Sequence, residues 1–304
     1  MVAPGENATK NTTENSAENS VERASGKGAG DENFPVGSFL IAKSLRPHVA
    51  IFYAFARAID DIADDPGLPA DEKISRLDGF KAAIEGSNPD PAYGKGHRIA
   101  RSLDQTGVSR RHCLDLISAF KQDAVKGRYS DWYELMDYCD RSAAPVGRYL
   151  LDLHGEDRAA YRYSDALCNA LQVINHLQDC QDDYLSMDRV YLPGDWLAGA
   201  GATVEELSGQ QSSPALLSVI RRCAERTSLL LAEARLLPAA LRSRRLAMES
   251  AFIVRIGLKL NRMLAVADPL AARVELGKLQ FLVSGLSGAL PVLLTHRAGA
   301  KAPN

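Results

Sequence analysis

The chain has 304 residues, 46% of them hydrophobic and 24% charged, with a formal net charge of −2. That length and apolar share suit one large globular domain or two small ones. The near-neutral charge and the lack of a basic stripe give no reason to expect a nucleic-acid partner. The five cysteines are scattered without a Cys-x-x-Cys pair, which reads as reduced, buried thiols in a cytoplasmic setting and not as a disulfide frame or zinc site.

Residues 1–31 are rich in Asn, Thr, Ser, Glu and Gly and have little to bury, so a disordered tail is expected there. The tail lacks the apolar core of a signal peptide. Its Gly26-Lys-Gly-Ala-Gly30 run has no preceding strand and the wrong spacing for a phosphate loop. One domain is expected over 32–296, followed by a short tail at 297–304. Asp31–Gly37 reads as a lead-in loop, and Leu40–Ala63 as an apolar helix with Pro47 in its first turn.

Pro66–Ala70 is a turn by composition, and Asp71–Ile84 is helical through Ile74, Leu77, Phe80 and Ile84. Gly86–Gly96 reads as a loop. Helices are expected over His97–Gln105 and Arg110–Lys126, then from Asp131 with a bend at Ala144–Gly147 and an end at His154-Gly155. Arg158–Tyr184 reads as one long helix, and Gly194–Pro214 as a loop able to act as a flap. Ala215–Leu236, Ala239–Leu264 and Ala271–Leu294 return to helical period. Leu279–Leu294 comes nearest to a membrane span, but Ser284, Gly285, Ser287, Gly288 and Pro291 interrupt it. It reads as a core helix that could rest against a bilayer. Strand signals are nearly absent, so the fold class is all-α.

Two acidic stretches stand apart from this pattern. The first, Phe52–Asp65, ends an apolar helix with Asp60, Asp61, Asp64 and Asp65. Asp60 and Asp64 share a face that Arg57 and Tyr53 continue backwards. Like charges at this spacing repel, and the nearby helix C-terminus disfavours them further. A frayed, solvated helix end tolerates such a pair; a divalent cation compensates it. The second stretch, Leu171–Tyr184, carries Asn175, Asp179 and Asp183 at four-residue intervals, with Gln172 one turn upstream. It lacks the central glycine of an EF-hand loop and the Glu-x-x-His of di-iron bundles. Two acceptor-rich helical faces suit Mg2+, which takes a couple of carboxylates plus water and phosphate oxygens. Arg57, Arg189 and Tyr191 could complete the contacts to a diphosphate.

These residues resemble the squalene/phytoene synthase family. Tyr53, Arg57 and Asp60-Asp-Ile-Ala-Asp64 match its first aspartate-rich signature, and Asn175, Asp179 and Asp183 its second. Arg189-Val-Tyr-Leu-Pro193 and Tyr138-Cys-Asp-Arg-Ser-Ala-Ala-Pro-Val-Gly147 match two further elements, so the likeness spans about 33–193 in the right order. Within the family, Asn33-Phe34, Gln178-Asp179, Asp182-Asp183 and Asp268-Pro-Leu look like the bacterial hydroxysqualene synthase branch of hopanoid biosynthesis.

The resemblance implies a single-domain isoprenoid synthase-type helical bundle around a central cavity. It implies Mg2+ held by Asp60, Asp64, Asn175, Asp179 and Asp183, and an isoprenoid diphosphate substrate bound by Tyr53, Arg57, Gln172, Arg189 and Tyr191. Arg57 and Tyr138 would act at the reacting centre. For Arg57 the alternative is a structural ion pair with Asp60 or Asp61, and for Tyr138 a plain core tyrosine. His176 reads as a packed helix histidine. Phe52, Phe55 and Phe120 could line a prenyl cavity. The implied reaction turns presqualene diphosphate into hydroxysqualene. Head-to-head condensation of two farnesyl diphosphates, or a non-catalytic assembly factor, are the alternatives. Lipid substrate and product imply peripheral contact with the inner membrane, with other hopanoid-pathway enzymes as potential partners.

Overall fold

The computed structural model describes residues 21–22 and 41–295. Most of the expected N-terminal tail, the Asn33-Phe34 motif and the C-terminal tail at 297–304 lie outside the described residues. Within the expected tail, Val21 and Glu22 are held against the helices. Arg76 donates to the Val21 carbonyl at 2.6 Å, and Lys95 pairs with Glu22 at 2.6 Å.

Helix α1 (Arg46–Asp64) starts with Pro47 in its first turn and buries Val49, Phe52, Phe55, Ile59 and Ile62. It ends where Asp65 turns extended ahead of Pro66, as the residue before a proline tends to. Helices α2 (Ala70–Glu85), α3 (Gly94–Thr106) and α4 (Arg111–Asp123) pack beside it. The loop expected to run to Gly96 ends three residues sooner: Pro91–Tyr93 form a 3-10 turn, and α3 begins at Gly94.

Strand β1 (Arg128–Tyr129) follows, then α5 (Trp132–Ser142) and α6 (Ala144–Leu153), so the expected bend falls at Ala143. The long helix expected over Arg158–Tyr184 is divided. It becomes a 3-10 turn at Arg158–Ala160, then α7 (Tyr161–Gln178) and α8 (Cys180–Met187), with Asp179 between them at φ −107. The break is a kink and not a separation. Asp179 N bonds to Asn175 O at 2.9 Å and Asp183 N to Asp179 O at 2.8 Å, so the polar stripe keeps its register.

Strand β2 (Val190–Pro193) pairs in parallel with β1, Arg128 opposite Val190, and so brings Arg189 and Tyr191 beside the end of α4. The segment expected to be a flap is packed instead. Helix α9 (Gly194–Ala200) buries Trp196, which stacks on Trp132 with ring centroids 5.5 Å apart. Gln181 then clamps the carbonyls of Leu207, in a third 3-10 turn (Val204–Ser208), and of Gly209 at its end. Helix α10 (Pro214–Ala234), the single turn α11 (Leu237–Ala240), α12 (Arg244–Leu264) and α13 (Lys278–Thr295) complete the described chain.

Two apolar clusters result. One joins α1 to α4 with Tyr149 and Leu153 of α6; the other joins α5 and α7 to α12. They meet across α6 and α7, where close approach depends on Gly147. A Cβ there would lie 2.2 Å from Ser164 Oγ and 2.8 Å from Cys168 Sγ. A cavity of about 370 Å³ opens between the clusters, walled by Phe52, Phe120, Leu167, Leu171, Leu246 and Ile253. No helix among the described residues is long and apolar enough to cross a membrane.

Candidate active site

The C-terminal turns of α1 present the first acidic group to one end of the cavity. Arg57 reaches down its own helix, with Nη2 donating to Asp60 Oδ2 at 2.5 Å and Nε to Asp61 Oδ1 at 3.2 Å. The ion-pair reading of Arg57 therefore describes its position, while the same side chain lines the cavity with Tyr53 and Asp60. Asp61 faces inward and is buried. Asp65 turns away, its Oδ1 accepting from Gly67 N at 2.8 Å. The Asp60 carboxyl is pushed up to about 8, first by burial and then by Asp64, against the opposing pull of Arg57.

Asp64 meets a partner from the far side of the fold. Arg189, 7% exposed, donates through Nη1 to Asp64 Oδ1 at 2.5 Å. Its Nη2 reaches the Ala63 carbonyl at 2.9 Å and the Asp123 carbonyl at 3.3 Å, tying the ends of α1 and α4 together. Burial works against this guanidinium, but Asp64, Tyr191 and Asp123 more than offset it and raise its pKa. Sequence reasoning put Arg189 on a substrate diphosphate. In the fold it is occupied as a clamp, behind the cavity wall.

Asp123 is the site residue that sequence reasoning missed. It is 7% exposed, its Oδ2 accepts from Tyr138 Oη at 2.7 Å, and its Oδ1 has no hydrogen-bond partner. Burial pushes this carboxyl up to about 7; Arg189 and the Tyr138 hydroxyl hold it down, while Asp64 and Asp183 raise it. A signal did exist. Leu116, Ala119 and Asp123 fall on one buried stripe of α4, where an acid is expensive unless something meets it.

Tyr138, buried in α5, belongs to an aromatic layer with Tyr129 and Tyr191 at centroid distances of 5.3 and 5.7 Å. Tyr191 stacks on His176 at 3.5 Å, so His176 is the packed histidine expected. The His176 ring also bridges Gln172, 3.2 Å away, and Asp183, whose Oδ2 lies 3.7 Å from Nδ1. Asp179 pairs with Arg273 at 2.9 Å, a partner supplied by the connection before α13. Its carboxyl is raised, by burial first and against the pull of Arg273. Asp182 is exposed.

The fold thus sorts the expected residues into two sets. Tyr53, Arg57, Asp60, Gln172 and Asn175 reach the cavity wall. Tyr138, Arg189 and Tyr191 form a buried layer behind it, and Asp64, Asp179 and Asp183 stand partly exposed at the rim. Of the three phenylalanines, Phe52 and Phe120 line the cavity, but Phe55 packs edge-on against Phe80 in the α1–α4 core. Glu249 of α12, 6% exposed, is a second acid that sequence reasoning missed; it sits in the apolar wall between Leu246 and Ile253.

Comparison with known proteins places this arrangement. The squalene/phytoene synthase family model matches residues 28–280. The chain belongs to the squalene/phytoene synthase family. It is 43% identical to a hydroxysqualene synthase of Rhodopseudomonas palustris, over 92% of this chain and 94% of that protein. It is 42% identical to a hydroxysqualene synthase of Zymomonas mobilis, covering 85% and 87% of the two chains. Among solved structures, a squalene synthase of Alicyclobacillus acidocaldarius is similar at 31% identity and a TM-score of 0.65, covering 75% and 85% of the two chains. The protein is an enzyme of this family, with its all-α isoprenoid synthase fold.

Proposed function

We propose that the protein converts presqualene diphosphate to hydroxysqualene. The observation that carries this reading is one continuous cavity with a carboxylate, guanidinium and amide end (Asp60, Arg57, Asn175) and an otherwise largely apolar body. Such a shape suits a molecule with a charged head and a long hydrocarbon. The relatives named hydroxysqualene synthase support the choice of reaction.

The acidic end fits Mg2+ by its chemistry. Its donors are hard oxygens on three elements, Asp60 and Asp123 are both raised by burial first and by Asp64 as well, and Asp123 Oδ1 is buried without a partner. Among the described residues no three acidic, histidine or cysteine side chains converge as a metal cage, so water and diphosphate oxygens would complete the coordination. Asp60, Asp64, Asn175, Asp179 and Asp183 would hold the ion. Bound there, Mg2+ supplies positive charge against the charge that develops on departing diphosphate.

The protein's own groups do the rest. Arg57 and Tyr53 orient the head group at the cavity mouth. The C–O bond breaks with its electron pair leaving on diphosphate, and the carbocation rearranges beside the Phe52 and Phe120 rings that line the cavity. The leucine wall excludes bulk water until one water adds to the cation. Glu249, the acid set into that wall, is placed to accept the proton the water loses. The alcohol then leaves, a product that squalene and hopanoid biosynthesis would take up.

Purified protein incubated with Mg2+ and presqualene diphosphate, without a nicotinamide, tests this by mass analysis of the extract; hydroxysqualene is the expected product. The similar squalene synthase structure favours a second reading, condensation of two farnesyl diphosphates. Presqualene diphosphate formed from farnesyl diphosphate, with no alcohol from presqualene diphosphate, would establish that reading and overturn the first.

A further inference from the structure

Helix α13 is built with its large side chains on the wrong side for a core helix. Its small residues face the protein. A Cβ on Gly285 would fall 1.9 Å from the Phe252 ring, and one on Gly288 would fall 2.4 Å from the Ala251 carbonyl, so α13 lies directly on the backbone of α12. Apart from Phe281, which meets Phe252 edge-on, and Val292, its bulky residues face outward. Leu279, Leu282, Val283, Leu286, Leu290 and Leu294 are between 44% and 84% exposed. At 100° per residue they fall within one stripe along the helix. The expectation of a core helix over Leu279–Leu294 is thereby corrected: the packing uses the glycines and leaves the leucines unpartnered.

The charges around this stripe select what covers it. Helices α12 and α13 carry six basic residues (Arg244, Arg245, Arg255, Lys259, Arg262, Lys278) and one acid, Glu249, which is buried on the cavity side. This is a strong local excess in a chain whose net charge is −2. Two of the cations lie against α13 itself. Arg244 donates to the Leu293 carbonyl, and Arg255 Nε lies 3.4 Å from Ser287 Oγ. A contiguous apolar stripe of this length marks an interaction surface. An apolar face flanked by arginines matches an anionic lipid surface, where acyl chains take the leucines and phosphates take the guanidiniums. A second copy joined through the same stripe would bring the same cations to both sides of the contact.

We propose that α13 is an interfacial helix that seats the enzyme on an anionic bilayer. Its position gives the seat a purpose. Leu246, Ser250 and Ile253 on the opposite side of α12 line the cavity, so α12 alone separates the cavity from α13, and the two-helix layer separates it from the lipid surface. Packed helices lie about 8–10 Å apart. Apolar molecules entering or leaving the cavity then travel a short path along this hairpin.

The test is sedimentation of the full chain with phosphatidylcholine vesicles, with and without phosphatidylglycerol. Binding is expected to the anionic vesicles, weakening as salt rises. The double variant Leu286→Ser, Leu290→Ser should lose about tenfold or more in vesicle affinity per leucine, with unchanged helical circular dichroism. As a check that does not depend on losing a contact, Leu290→Trp should show a blue-shifted, lipid-quenched fluorescence only when anionic vesicles are present. Protein that stays in solution with both vesicle types overturns the proposal. So does a Leu290→Trp variant whose emission ignores lipid. Sedimentation equilibrium giving a dimer that the double serine variant dissociates would assign the stripe to a second copy instead.

Discussion

The role of Arg189 separates a substrate contact from a structural clamp, and Arg189→Met distinguishes them. Methionine keeps much of the arginine stem while removing the charge and the fork of donors. The structure sets the size of the effect. The guanidinium is buried and serves Asp64 and the carbonyls of Ala63 and Asp123. Breaking a buried pair by deleting one partner costs about 3–5 kcal/mol. Two facts favour the lower end. The Asp64 side chain is 35% exposed and can draw on water, and the Ala63 carbonyl keeps a second donor, Lys73 Nζ at 2.7 Å. A loss of about 3 kcal/mol follows, which for a domain of this size lowers Tm by roughly 6–12 °C. Urea unfolding followed by circular dichroism reads it, and Arg189→Lys, which restores charge without the fork, should fall between. If Arg189→Met unfolds within about 0.5 kcal/mol of the parent and only KM for the diphosphate rises, the clamp reasoning is wrong.

Asp123→Asn should change how stability depends on pH. The folded carboxyl, at about 7, lies above its ordinary value near 4, so the folded state binds the extra proton and the parent protein loses stability as pH rises through that window. The asparagine variant lacks this penalty, and its advantage should grow by up to about 4 kcal/mol across the window in urea titrations; a pH-independent difference would refute the assignment. On the proposed Mg2+ site, Asp64→Ala should abolish turnover, with no recovery at saturating Mg2+, read by diphosphate release. Gly147→Ala should cost about 1–3 kcal/mol in thermal unfolding, because the new methyl meets Ser164 and Cys168. Glu249→Gln should lower the alcohol in the product mixture in favour of hydrocarbons, measured by mass analysis; an unchanged product ratio would remove Glu249 from proton acceptance.

The helices were legible because apolar residues recur at helical period from α1 to α12, and the two acidic faces because their four-residue spacing survives folding. The kink at Asp179 was not legible, since neither proline nor glycine marks it. The flap reading of Gly194–Pro214 failed for the opposite reason. Its glycines look like loop, but Trp196 finds a flat partner in Trp132, far away in sequence. Asp123 and Glu249 were hidden because each is one acid on an otherwise apolar stripe, which a periodicity argument counts as noise. The direction of Arg189 depends on β2 pairing with β1, a contact between segments some sixty residues apart.

The acidic end carries more negative charge than its own cations relieve, and this links stability to binding. The C-terminus of α1 is an unfavourable place for carboxylates, because the helix macrodipole is negative there. Arg57 and Arg189 answer Asp60, Asp61 and Asp64, and Arg273 answers Asp179. Three carboxyls remain raised all the same: Asp60 on α1, Asp123 on α4 and Asp179 at the junction of α7 and α8. They belong to different elements, and each is raised partly by a neighbouring carboxylate. A divalent cation entering among them would favour their ionised forms and draw the three elements to one charge. The proposed ion therefore has a signature independent of turnover. Mg2+ with inorganic diphosphate should raise Tm more at pH 9 than at pH 6, where protons compete with the ion for Asp60 and Asp123. The sign follows from linkage: at pH 6 the ion must first displace protons from the folded protein, which weakens its binding, whereas at pH 9 it meets bare carboxylates and relieves their repulsion. Proton uptake or release measured by calorimetry in two buffers decides it, since binding at pH 6 must release protons. Binding without proton release at pH 6 would show that the raised carboxyls are not the ones that meet the ion.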